Sequence, residues 1–137
     1  MSLRNRVAEF ERCLEKFKEV LQKPKDDIVR DSAIKRFELC FEIAWKSLKD
    51  YVTHEGIICR SPRSCLKEAF SMGLIEDEDA WLAILEDRNL SVHTYDEALA
   101  EELYKRLFDH YTAMRSLYEV IKFNFCYRAP GSGGTLL

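Results

Sequence analysis

The apolar residues of this chain recur at helical spacing almost from end to end, and no window sustains the alternation that a half-buried strand needs. Leu3, Val7, Phe10, Leu14, Phe17 and Leu21 step by threes and fours, which predicts a first helix over 3–22 with one buried stripe. Pro24 cannot continue it. Asp26 or Asp27 should cap a second helix that reaches His54 or Glu55 and stops at Gly56. Its stripe of Phe37, Phe41, Ala44, Leu48 and Tyr51 is widened by Ile34, Cys40, Ile43 and Val52, so this helix should be central. Ser61 before Pro62 reads as the N-cap and first residue of a short third helix ending at Gly73. A fourth begins near Asp77 and turns Trp81, Ile84 and Leu85 inward. The last starts near Thr94, whose pairing with Glu97 reads as a capping box, and runs through Leu99, Leu103, Leu107, Tyr111, Met114, Leu117 and Ile121. The expected architecture is an all-α antiparallel bundle of about five helices.

A chain of 137 residues suits one domain with a real core, here residues 1–123. Beyond Phe123 the pattern fails, and 124–137, with Pro130-Gly131-Ser132-Gly133-Gly134, reads as a flexible tail. A formal charge of -3 excludes a protein that coats nucleic acid by bulk electrostatics, while leaving room for a local basic cleft. No apolar run approaches the roughly 20 residues of a membrane span, and the charged N-terminus has no signal-peptide core. A cytoplasmic protein is expected. The five cysteines, Cys13, Cys40, Cys59, Cys65 and Cys126, contain no Cys-x-x-Cys pair. They read as structural or incidental thiols, with no metal and no cofactor expected.

The segment richest in chemistry is Arg88-Asn89-Leu90-Ser91-Val92-His93-Thr94-Tyr95. Arg88 offers a phosphate a planar fork of donors that stays charged. His93 can move a proton near neutrality, and the Tyr95 phenol can donate, accept or be modified. On one unbroken helix, Arg88 and His93 would point about 140° apart, since each residue turns roughly 100°. They can serve one phosphate only if the chain breaks between them, with Asn89 helping to end one helix and Thr94 opening the next. His93 would then lie close to a helix N-terminus, a location that favours anions and a neutral imidazole. Glu38 and Glu42, on the second helix, could orient Arg88. The plainer reading pairs Arg88 with Asp87, Glu86 or Asp96 and leaves His93 and Tyr95 to pack the junction. His54 reads as a partner for a helix C-terminus, His110 as a locally bonded side chain, and Trp45 and Trp81 as core. Lys46, Lys49, Arg60, Arg63 and Lys67 read as a solvated basic margin.

As Arg-x4-His-x-Tyr, the segment resembles the signature of the HEPN superfamily, the nucleotide-binding domains of higher eukaryotes and prokaryotes. Arg36-Phe37-Glu38 with Phe41 to Tyr51 resembles the central helix of the nucleotidyltransferase substrate-binding protein family. Ser61-Pro62-Arg63, Glu68-Ala69-Phe70 and Gly73-Leu74-Ile75 resemble its third segment, and Trp81 with Glu86-Asp87-Arg88-Asn89 its fourth, so the likeness spans roughly residues 3–123. Ser91-Val92 departs from the pattern, which has two small hydroxyl residues before the His. The resemblance implies a homodimer with Arg88 and His93 as catalytic residues, in a cleft between subunits, of a metal-independent ribonuclease. It implies a minimal nucleotidyltransferase as partner, with Tyr95 as acceptor of an AMP group, and RNA or a nucleotide as ligand. It equally accommodates a non-catalytic substrate-binding subunit of that transferase. A Gly-rich phosphate loop and the Gly-Ser with paired Asp of a transferase are lacking, so the chain should not transfer nucleotides itself.

Overall fold

The computed structural model describes residues 2–126. Among them the chain forms α1 (Leu3–Leu21), α2 (Asp27–His54), α3 (Pro62–Ser71), α4 (Glu78–Leu90), a 3₁₀ turn (Ser91–His93) and α5 (Glu97–Cys126), with no strand. The caps explain the boundaries. The Ser2 side chain accepts from the Asn5 N–H and Asp26 from that of Val29, each satisfying a donor the first turn leaves free. Ser61 and Ser64 cap one another at the start of α3, with Pro62 at the first helical position. Gly56 and Gly73 take φ of 88° and 78°, the left-handed region that closes a helix C-terminus. At Gly73 the N–H of Leu74 reaches back to the Ala69 carbonyl at 2.9 Å.

α1 and α2 form an antiparallel hairpin, the most extensive helix pair. Arg6 reaches Asp50 at 3.0 Å, and further along Phe17 meets Phe37 with ring centroids 6.2 Å apart. α5 closes the core, where Tyr118 packs edge-on to Phe10 and Tyr111 to Phe17. Phe10, Phe17 and Phe37 are fully buried. Each contributes roughly 1.5–3 kcal/mol of apolar transfer free energy. The expected inward stripes are found on α1, α2, α4 and α5, with Val20 replacing Leu21 as the last core residue of α1 and Ala100 replacing Leu99 as the first of α5. α3 and α4 lie against this three-helix frame and carry Cys65, Leu66, Trp81 and Ile84 into it.

Several expectations are corrected. α5 begins at Glu97, and Thr94 does not cap it. The Asp96 carboxylate takes that place, accepting from the N–H groups of Ala98 and Leu99, while the Thr94 hydroxyl donates back to the Ser91 carbonyl. Asn89 does not end α4, which runs to Leu90. α5 continues to Cys126, past the expected end at Phe123, and the expected tail from Tyr127 onward lies outside the described residues. Cys59 and Cys65 are joined by a disulfide and are not thiols. The chain leaving α2 folds back on the first turn of α3, which brings their Cα atoms to 5.1 Å; the spacing alone does not reveal that return. No helix among the described residues is long and apolar enough to cross a membrane.

Candidate functional site

The octapeptide lies where α4 stops and α5 starts, and at Ser91 α4 tightens, with the backbone still helical, into a 3₁₀ turn that ends at His93. Ser91 is buried, and its single hydroxyl proton is shared between Glu38 Oε2 at 2.6 Å and the Arg88 carbonyl at 2.7 Å. Glu38 therefore holds the turn from α2 through Ser91, and does not meet Arg88 itself. Glu42 accepts from Trp45 Nε1 at 2.9 Å and likewise leaves Arg88 alone. Of the two hydroxyl positions in the family pattern, Ser91 keeps its hydrogen bond, and Val92, at the other, is exposed.

Arg88 is half-buried, with its Nε buried and without a hydrogen-bond partner. Among the described residues no carboxylate pairs with its guanidinium. The plainer reading, an ion pair with Asp87, Glu86 or Asp96, is not realised. Asp87 is committed elsewhere. Arg106 donates to it through two nitrogens at 2.8 and 2.9 Å, and His110 Nε2 lies 2.6 Å from Oδ2. An ionised carboxylate can only accept, so His110 carries its proton on Nε2. The imidazole is buried and stacks on Phe37, centroids 5.3 Å apart, and its bond to Asp87 runs from α5 to α4 and is not local. Burial pushes the Asp87 carboxyl up, but hydrogen bonds from Arg106 and His110 outweigh it and hold the group below the usual carboxylate range.

His93 is exposed at the end of the 3₁₀ turn, and Tyr95 stands 84% exposed in the turn before α5, not in its first turn. Their rings meet edge-on with centroids 6.1 Å apart. Asn89 is exposed on the last turn of α4. The start of α5 is tied down by Arg30 of α2, which is only 3% exposed and pairs with Glu97 at 2.7 Å and Glu101 at 2.8 Å. Periodicity singles out neither Arg30 nor the Asp87–Arg106–His110 cluster. A signal for the second does exist: Asp87 falls on the inward stripe with Ile84, and Arg106 and His110 are one helical turn apart. A polar residue on an apolar stripe asks for a partner.

The remaining candidates are structural or solvated. Trp81 is buried, Trp45 half-buried beneath Lys49, and His54 is exposed at the end of α2 with its ring edge-on to Phe125. Lys46, Lys49, Arg60, Arg63 and Lys67 are all exposed. A groove of about 710 Å³ between α5 and the start of α4 is lined by Leu74, Trp81, Arg106, His110 and Ala113, and contains none of Arg88, His93 and Tyr95. The motif sits on an open turn, and the groove is a separate feature. No three His, Cys, Asp or Glu side chains converge as a metal set among the described residues.

An all-α bundle presenting Arg-x4-His-x-Tyr at the junction of its last two helices defines the class to which this protein belongs. The family model for "Nucleotidyltransferase substrate binding protein like" matches residues 2–122, and the chain belongs to that family. It is similar to a protein of Haemophilus influenzae (strain Rd) named "Probable ribonuclease HepT", at 31% identity over 104 residues, 69% of this chain and 71% of the relative. A crystal structure of a Thermus thermophilus protein superposes with a TM-score of 0.78 at 34% identity, covering 82% of this chain and 98% of that one. A Haemophilus influenzae structure, described as revealing the fold of a substrate binding domain of a nucleotidyltransferase, gives a TM-score of 0.66 at 25% identity, with 88% and 96% covered.

Proposed function

We propose that the Arg88–His93–Tyr95 turn is the phosphodiester-handling site of a HEPN-type ribonuclease, in a protein that works with a minimal nucleotidyltransferase. Arg88 carries the reading: a cation in the last turn of α4 with its Nε unpartnered, five and seven residues before an exposed imidazole and phenol. No carboxylate among the described residues takes up its charge, so the guanidinium remains available to an RNA phosphate, which the planar fork suits. His93 would take the proton of a ribose 2′-hydroxyl, whose oxygen then attacks the neighbouring phosphorus. Arg88 would hold the charge growing on the phosphoryl oxygens. The name of the Haemophilus relative supports the same chemistry.

RNA digestion by the purified protein tests this, with and without EDTA. Cleavage should persist in the chelator, and His93→Ala should lower it by about 100-fold or more with the melting curve intact. Arg88→Lys should recover little, because a point charge lacks the fork. Cleavage that survives loss of His93 or disappears with EDTA overturns the mechanism.

The family description and the substrate-binding fold ascribed to the Haemophilus structure favour a second reading, a non-catalytic substrate-binding subunit of the transferase. Incubation with the cognate transferase, ATP and Mg2+ separates the two. Adenylyl groups on exposed Tyr95 with loss of RNA cleavage support the first, since a bulky anion there competes for Arg88. Tight transferase binding with Tyr95 unmodified and RNA intact supports the second.

A further inference from the structure

Away from the turn, the α1–α2 hairpin brings two sulfur atoms together. Arg6 meets Asp50 and Phe17 meets Phe37, so the register of the antiparallel pair sets Cys13 opposite Cys40. Both are free, and their side chains interact across the helix interface. Their exposures differ: Cys13 is partly accessible, and Cys40 is 0% exposed. We infer that Cys13 and Cys40 form a peroxide-reactive dithiol, with Cys13 attacking and Cys40 resolving, that closes to a disulfide stapling α1 to α2.

The order of events follows from access. A small hydroperoxide reaches Cys13 and cannot reach Cys40. The Cys13 sulfur attacks one peroxide oxygen and breaks the O–O bond, which gives a sulfenic acid and hydroxide. The Cys40 thiol passes its proton to that hydroxide, and its sulfur displaces the sulfenic oxygen as a second hydroxide, which leaves as water on taking up a proton from solvent. Two thiols and one peroxide become one disulfide and two waters, the thiols supplying the two electrons. The proton first taken by solvent from Cys13 balances the one returned. Acidity fits the assignment. Interaction with Cys40 draws the Cys13 thiol down, against burial and Glu9, with Arg12 and Lys16 assisting, which favours the attacking thiolate. Cys40 moves the opposite way, through the same interaction and its burial.

The test is intact-mass and peptide mass spectrometry of the full chain carrying Cys126→Ser, titrated with hydrogen peroxide. That change leaves Cys13 and Cys40 as the only thiols beside the Cys59–Cys65 disulfide. The expected result is a loss of ~2 Da and a linked Cys13–Cys40 peptide, reversed by reductant. Cys40→Ala should trap a dimedone-reactive acid on Cys13, and Cys13→Ser should leave Cys40 unoxidised in the folded protein. Accumulation of sulfinic acid on Cys13 without a linked peptide overturns the resolving role of Cys40. Thiols that resist peroxide until denaturant is added overturn the site. The linked peptide is read in a chain that keeps both Cys13 and Cys40, so the test stands even where their variants fail to fold.

Discussion

Asp87 is the residue on which the geometry of the turn depends. It lies immediately before Arg88, 3% exposed, and accepts from two side chains of α5. Asp87→Ala should destabilise the protein by about 3 kcal/mol in urea unfolding, because it leaves His110 buried without its acceptor. The pH dependence has a definite sign. A carboxyl held below its ordinary pKa in the fold contributes stability that is fully present above the unfolded value, near 4, and is lost as pH falls through the folded value. Stability profiles of wild type and Asp87→Asn should therefore converge below about pH 4. A gap that stays constant into acid would mean that the carboxylate's charge plays no part.

At the scale of elements, α3 shows how much rests on caps. A helix of ten residues is too short to hold itself, so Ser61→Ala should cost about 1 kcal/mol by chemical denaturation. An unchanged midpoint would show that packing of Cys65 and Leu66 alone holds the helix. This element also marks what could be read without coordinates. Ser61-Pro62 announces the start of α3, and Gly56 and Gly73 announce the ends of α2 and α3, because each residue type answers a local backbone demand. The stripes of α1, α2 and α5 are legible for the same reason: period alone decides which face is buried. The junction is harder. Thr94 and Asp96 are both good caps two residues apart; the Thr94 hydroxyl turns back to the Ser91 carbonyl, and Ser91 is itself held by Glu38, 53 positions away. No local rule contains that contact. The partners of Asp87 and the Cys59–Cys65 bond escape similarly, since each depends on how the chain returns upon itself, although Asp87 on an apolar stripe signals that a partner is needed.

For the whole molecule, the proposed chemistry calls for two copies of the turn, since the HEPN resemblance places Arg88 and His93 in a cleft between subunits. A homodimer is expected by light scattering at tens of micromolar, an order typical of assay work. Monomer alone under those conditions would remove the two-subunit site. The ties around the octapeptide bear on binding as well as on shape. Glu38 holds the turn from the middle of α2, Arg30 from its first turn, and Arg106 with His110 from α5. The entropy of ordering the segment is surrendered when the bundle folds, so under the proposed function a ligand would meet donors already held in place. Weakening any one tie should then cost affinity chiefly as faster release, with the encounter rate nearly unchanged.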